Sequence, residues 1–324
     1  MKTASLKISA VLLGIVGSLA VASAELPKFA PGVKVDKFIE VPSGTKPARV
    51  RDEIPPGIVA QTGVVFGKGG DKALQLDLYA PAAPGGGPFP GVIVIHGGGW
   101  ANGNRQSFRA MAQRLATQGF VAATIDYRLS GEAQFPAAVE DCKAAVRWMR
   151  ANATRLRVDP GRIGAVGGSA GGHLAAMVAL TGDAELFEGG GGHPDASSAL
   201  QAAVIMGSGV DQVTRALEAK RPIRNQFVFF GGPYEKRKET YRQGSPITHI
   251  SKGDPPILII EGQKDSPGER YPEFRRKLDQ AGVSHRLVIV QGGRHGCWNS
   301  HPWFVPMADE IAAFLREKLV ATKS

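Results

Sequence analysis

The sequence predicts an α/β domain built on a mostly parallel central sheet with helices on both faces. Two observations carry this. From residue 91 onward, short apolar runs alternate with stretches of helical period, as in GVIVI (91–95) followed by 107–118. GVIVI is apolar at successive positions, as a strand buried on both faces should be. With 324 residues, 43% of them apolar and 21% charged, the chain can bury a core of ordinary size without disulfides or a structural metal.

Taken in order, residues 1–24 have the make-up of a secretory signal peptide. Lys2 and Lys7 form a short positive region, Ile8 to Val21 is apolar, and Ala22-Ser23-Ala24 is a small-residue cleavage pattern. An uncleaved anchor helix is the competing reading, but the apolar stretch falls short of the ~20 residues needed to span a bilayer. No later segment is long and apolar enough to span, so a secreted or periplasmic protein is expected. Residues 25–57 are rich in Pro and Gly and read as an extended N-terminal lead-in, and 58–324 as the α/β domain.

Within that domain 59–66 and 73–79 read as two strands with no helix between them, hence an antiparallel hairpin. Strands are then expected at 91–95, 121–125, 162–166, 202–206, 257–260 and 286–290. Helices are expected at 107–118, 137–151, 171–180, 271–281 and 307–319. The glycine run 189–192 reads as a flexible loop. Residues 211–252 separate two strands by about forty positions and read as a small cap-like excursion over one edge of the sheet.

Two turns carry chemistry. Gly167, Ser169 and Gly171 form G-x-S-x-G between an apolar strand and a helix, the strand–turn–helix context in which a strained turn lifts a serine hydroxyl clear of the sheet. The following helix N-terminus favours negative charge nearby. The second turn is His96-Gly97-Gly98-Gly99-Trp100, directly after GVIVI. Glycines leave backbone N–H groups open to a ligand, and acyl transfer needs such donors where charge develops on the carbonyl oxygen. Gly98 and Gly99 are the expected donors, with Ala170 N–H as the third. His96 is expected to be structural rather than a base.

An acid and a histidine should follow the serine in that order. After 257–260 comes Glu261-Gly262-Gln263-Lys264-Asp265, and a carboxylate just past a strand's C-terminal end stands where such sheets place functional groups. Asp265 is the choice, with Glu261 at the strand end as the alternative. After 286–290 comes Gln291-Gly292-Gly293-Arg294-His295-Gly296, which puts His295 in a glycine-flanked loop able to reach Ser169. His173, His193, His249, His285 and His301 lack that placement. Ser169, Asp265 and His295 are therefore the expected catalytic residues.

No cofactor or metal pattern is found. Cys142 and Cys297 lack a histidine cluster that would make a zinc site, and two separate buried thiols are expected rather than a bridge. The phosphate-loop pattern is absent. The net charge of +10 falls to +8 without Lys2 and Lys7, and the scattered Lys and Arg have no interleaved aromatic residues, so nucleic acid is not an expected partner. An ester substrate is. The sequence carries no signal for oligomeric state.

With these residues in hand, the chain resembles the esterase/lipase branch of the α/β-hydrolase superfamily that carries an HGGGW loop. It is similar to hormone-sensitive-lipase-like carboxylesterases, and more so to secreted bacterial enzymes of the feruloyl- and acetylxylan-esterase-like group. The carriers are HGGGW (96–100), DYRL (126–129), FPAAVEDCKAAVRWMR (135–150), DPGRIGAVGGSAGGHLAA (159–176), DPPILIIEGQKD (254–265) and GGRHG (292–296). The resemblance runs from about Val59 to Leu319. It implies the α/β-hydrolase fold, and hydrolysis through an acyl-enzyme of short-acyl carboxylic esters such as acetyl or feruloyl groups on plant polysaccharides. It also implies that Asp126 and Arg128 are structural, bracing the oxyanion loop and the helix that starts near Phe135. Ser266-Pro267-Gly268-Glu269 departs from the V-P pair that relatives carry after the acid, and Cys297-Trp298 from their phenylalanine. A serine exopeptidase or amidase on the same scaffold is the alternative, although no room exists for the extra domain such enzymes carry. A binding protein on a hydrolase scaffold would have lost the serine or histidine, and no long apolar lid marks a lipase.

Overall fold

Alternation along the buried strands builds two cores. Ile93 and Ile95 pack with Leu174 and Met149 on one face, while Val92 and Val94 pack with Leu115 and Ile311 on the other. The computed structural model describes residues 34–42, 44–51, 53–82, 86–182, 184–266 and 270–320. The expected signal peptide, 1–24, lies outside them. Among the described residues no helix is long and apolar enough to cross a membrane.

The elements are, in chain order, β1 (Lys37–Ile39), β2 (Ala48–Arg49), β3 (Ile58–Gly69), β4 (Lys72–Pro81), β5 (Phe89–Ile95), α1 (Arg109–Thr117), β6 (Val121–Ile125), α2 (Ala137–Ala151), α3 (Ala153–Leu156), β7 (Val158–Gly168), α4 (Ala170–Thr181), β8 (Ala202–Met206), α5 (Gln212–Glu218), α6 (Arg224–Phe229), α7 (Lys238–Gln243), β9 (Ile257–Gly262), α8 (Pro272–Ala281), β10 (His285–Val290), β11 (Ser300–His301) and α9 (Phe304–Leu319). Among the described residues nine strands form one sheet in the order β1-β10-β9-β8-β7-β5-β6-β4-β3. From β1 to β6 all neighbours are parallel. β4 and β3 join antiparallel as the hairpin. Parallel neighbours cannot be joined by a tight hairpin, so helices make the crossovers.

β5 lies between β6 and β7, so the chain leaves it to one side and returns on the other. The crevice at the C-terminal ends of β5 and β7 is thus a topological switch point, where open α/β sheets bind ligands. Register sharpens this: Ile95 stands opposite Gly167, so the turn after β5 lies beside the turn after β7.

Three segments differ from what the sequence predicts. Residues 37–39, in the expected lead-in, form an edge strand in register with 288–290 of β10. The expected helix 107–118 is a 3-10 turn (Arg105–Phe108) followed by α1, because Asn104 forms a capping box. Its side chain accepts from Gln106 N–H, and Ser107 Oγ accepts from Asn104 N–H. The glycine run 189–192 is laid against its neighbours. Gly191 C=O accepts from Lys68 N–H at 3.3 Å and Gly192 C=O from Arg147 Nε at 3.0 Å. Residues 211–252 fold into α5, α6 and α7 with short 3-10 turns. Cys142 and Cys297 are both buried free thiols.

Candidate active site

Ser169 occupies the single position between β7 and α4, with φ 56° and ψ −122°. A non-glycine residue at positive φ with this ψ is strained and persists only where surroundings hold it. Its N–H is fixed by Met206 C=O at 2.7 Å. The glycines around it are required by space. A Cβ on Gly168 would lie 2.8 Å from the rings of Phe108 and Trp298, and one on Gly97 would lie 2.7 Å from Gly168 C=O. α4 is buried along its whole length, so the elbow rests on a rigid base.

The loops after β9 and β10 are tied to each other before either reaches the serine. Lys264 N–H donates to Gly293 C=O at 2.8 Å, Gly292 N–H to Gln263 Oε1 at 2.6 Å, and Asp265 N–H to Gly262 C=O at 2.9 Å. This brings Asp265 Oδ2 to 2.7 Å from His295 Nδ1, and His295 Nε2 to 2.9 Å from Ser169 Oγ. Burial pushes the Asp265 carboxyl up, but hydrogen bonds from His295 and Glu261 and the charge of Arg270 outweigh it and hold it at about 2. An ionised carboxylate only accepts, so His295 Nδ1–H is the donor, Nε2 accepts, and the Ser169 hydroxyl donates to it. The Trp298 ring stands edge-on to His295 at 5.2 Å. Glu261, the alternative acid, is still within β9 opposite Ile289. It is fully buried and bound to Arg270 at 2.9 Å, with no hydrogen bond to His295.

Gly98 and Gly99 take φ 117° and 61°, conformations that favour glycine. Gly98 C=O closes a turn by accepting from Ala101 and Asn102 N–H at 3.2 and 3.1 Å. Among the described residues no acceptor takes the N–H of Gly98, Gly99 or Ala170. His96 is buried and stacked on Tyr127 at 4.3 Å, and its Nδ1 is 2.7 Å from Gly97 C=O. Burial lowers its pKa, so the ring is a neutral brace. Behind the loop Arg105 bridges two acids. Its Nε donates to Asp77 Oδ1 at 2.8 Å, and its backbone N–H and Nη1 donate to Asp126 at 2.8 and 2.6 Å. Arg128 grips Asp141, Glu140 and Ala137 C=O at the start of α2.

One residue the sequence reading passed over is structural to the site. His173, fully buried on α4, lies 3.2 Å from Trp100 Nε1 and 2.7 Å from Gly244 C=O. The indole only donates, so Nδ1 accepts and Nε2–H donates to Gly244. Burial lowers the His173 pKa to about 4. The ring therefore links the elbow helix, the oxyanion-type loop and the cap, where Trp100 stacks on Phe229 at 4.6 Å. The only sequence signal was its place just after Gly171-Gly172.

A cavity of about 830 Å³ opens over Ser169 and His295. Gly97, Trp100, Phe108, Trp298, Arg270 and Ser266 are among the residues that line it. Asp211, which caps α5, and Thr214, Arg215 and Glu218 of α5 line it together with Val210 and Ile223.

Residues 76–269 match the BD-FAE family profile. The chain belongs to the BD-FAE family. This BD-FAE chain has the α/β-hydrolase fold. It is 31% identical over 275 residues to Esterase LipC of Mycobacterium tuberculosis, covering 77% of this chain and 63% of LipC. It is 32% identical over 225 residues to the probable carboxylic ester hydrolase LipM of the same organism, covering 67% of this chain and 51% of LipM. The chain thus spans between half and two thirds of these curated relatives. A truncated carbohydrate esterase from gut microbiota superposes with TM-score 0.68 at 28% identity over 81% of this chain and 96% of that one. The propionate-bound thermophilic esterase Est2 of Thermogutta terrifontis superposes with TM-score 0.67 at 29% identity, covering 83% and 97%.

Proposed function

We propose that this chain hydrolyses short-acyl carboxylic esters through an acyl-enzyme on Ser169. The observation that carries the reading is the unbroken line Ser169 Oγ, His295 Nε2, His295 Nδ1, Asp265 Oδ2, at 2.9 and 2.7 Å. Ser169 Oγ attacks the ester carbonyl while His295 takes its proton. The C–O bond to the alcohol breaks as His295 returns that proton to the leaving oxygen. Water then repeats the sequence on the acyl-enzyme and frees the acid and Ser169. Asp265 holds the His295 tautomer. The N–H groups of Gly98, Gly99 and Ala170 receive the oxyanion, and loss of one such donor costs about 10²–10³ in rate.

Acetyl or feruloyl groups on polysaccharides outside the cytoplasm are the natural substrates on this reading. The signal-like residues 1–24 support the location. The polar groups of Asp211, Thr214, Arg215 and Glu218, which line the cavity beside Val210 and Ile223, support a hydroxyl-bearing alcohol. Assay of the chain and of Ser169→Ala on nitrophenyl esters of rising acyl length and on acetylated xylan tests this. Activity should fall with acyl length, appear on the xylan and vanish in the variant. A chain inactive on every ester, or a fully active Ser169→Ala, refutes hydrolysis at Ser169. Nitrophenyl activity without xylan activity refutes the acetyl-polysaccharide substrate alone.

A further inference from the structure

We propose that Glu261 is a positioning residue held as a neutral carboxylic acid, which donates its proton to Asp265 and, with Arg270, fixes that carboxylate against His295. The inference rests on the reading of Asp265 and His295 as partners of Ser169.

Glu261 has no solvent exposure at the C-terminal end of β9. Its Oε1 accepts from Arg270 Nη1 at 2.9 Å, while its buried Oε2 meets no donor among the described residues. An ionised oxygen buried without a donor is costly, whereas a hydroxyl there becomes a donor itself. The carboxyl that shares Arg270 with it is Asp265. Two carboxyl groups can share a hydrogen bond only if one of them carries a proton.

Charge counting gives the same answer. Arg270 is shared between the two acids, with Nη2 3.3 Å from Asp265 Oδ1 and Nη1 3.5 Å from Oδ2. The other groups facing Glu261 are the Tyr271 hydroxyl, just before α8, and the Cys297 thiol after β10, both neutral, and burial drives the Glu261 carboxyl up more than the Tyr271 hydroxyl draws it down. Arg215 from α5 faces Arg270. One guanidinium beside two buried acids balances one negative charge. Asp265 keeps it, because it is the less buried and receives His295 Nδ1–H at 2.7 Å. Burial drives the Glu261 carboxyl the other way, well above the usual range and against the pull of Arg270. The loop after Asp265 lacks the V-P pair that the resemblance leads one to expect, and Ser266 takes φ 54°. Support for the acid comes instead from behind, through β9.

Three measurements test this. Glu261→Gln keeps a neutral donor of the same length. It is expected to retain wild-type kcat and a superimposable pH–kcat profile. Glu261→Leu removes the donor and is expected to lower kcat about 10–100-fold with KM unchanged, the rate equivalent of one hydrogen bond to a charged group. Infrared difference spectroscopy of wild type against Glu261→Gln at pH 7 should show a protonated-carboxyl band belonging to Glu261. A Gln variant with a shifted profile or a loss beyond about tenfold, a Leu variant with full kcat, or a missing carboxyl band overturns the proposal. If Glu261→Leu does not fold, the Gln profile and the infrared band decide. The infrared measurement is independent of turnover, so its failure is separable from failure of the ester-hydrolase reading.

Discussion

His173 makes stability depend on pH in a window that can be worked out from the structure. Burial, the largest cause, lowers its pKa from 6.5 to about 4, opposed by the Gly244 carbonyl and reinforced by Arg215 and His249. The folded ring refuses a proton that the unfolded chain accepts. The unfolded state therefore binds more protons below pH 6.5, and stability is lost as pH falls from there toward 4. Between pH 7.5 and 4.5 these two values give a loss of about 2.5 kcal/mol from this residue. His173→Gln removes the titration while its amide can still accept from Trp100 and donate to Gly244. Its cost at pH 7.5 is expected to be about 1–2 kcal/mol from poorer geometry. The assay is denaturant unfolding of both proteins at pH 7.5 and 4.5. The wild type should lose about 2.5 kcal/mol more than the variant over that interval. Parallel pH dependence in the two proteins would refute the assignment of a neutral, buried His173 bridging Trp100 and Gly244.

Asp265→Asn is expected to lower kcat on the order of 10³–10⁴-fold with the fold intact by circular dichroism, because an amide in place of the carboxylate no longer fixes His295 Nδ1–H as donor. Ser169→Gly should abolish ester hydrolysis yet raise thermal stability by about 1 kcal/mol, since glycine relieves the strain at φ 56°. Gly99→Ala should lose activity more than fold, by kcat against melting temperature, because its φ of 61° disfavours a side chain and a Cβ would displace the Asn225 amide beside the loop. Arg105→Met should destabilise by about 1.5–3 kcal/mol, read by denaturant midpoint, because the 1%-exposed Asp77 carboxylate loses its guanidinium donor at 2.8 Å while keeping Gly63 N–H at 2.9 Å and Arg109 at 3.9 Å.

What was legible in the sequence was local. GVIVI, the two glycine turns and the histidine loop are contiguous signals, and register then sets Ile95 beside Gly167 without further information. What was not legible depends on partners far along the chain. His173 meets Trp100 73 positions away and Gly244 71 positions away. No period or motif within α4 encodes either contact. The extent of β9 mattered as well. The sequence puts its end at Ile260, but the ladder continues through Gly262, so Glu261 is a buried strand residue opposite Ile289 and Asp265 is the first carboxylate clear of the sheet. The strand at 37–39 is too short to display a period. Only the open edge of β10 makes it a strand.

Burial also divides the site into a stiff part and an open part, and the proposed chemistry needs both. Trp100, His96 and His173 are buried, and they brace the loop and the elbow that carry the proposed oxyanion donors. The histidine side is different: His295 remains 50% exposed while Asp265 behind it is 12% exposed. In the proposed second half-reaction His295 must meet a water molecule, so a ring sealed under the cap could form the acyl-enzyme but not resolve it. An exposed ring, however, has little packing to orient it. Its orientation comes from the Nδ1–H bond to Asp265 and the edge contact with Trp298. That places unusual weight on the immobility of Asp265, and the polar cluster of Glu261, Arg270 and Tyr271 lies directly behind it. The more solvent reaches the base, the more the acid behind it must be fixed from the protein interior.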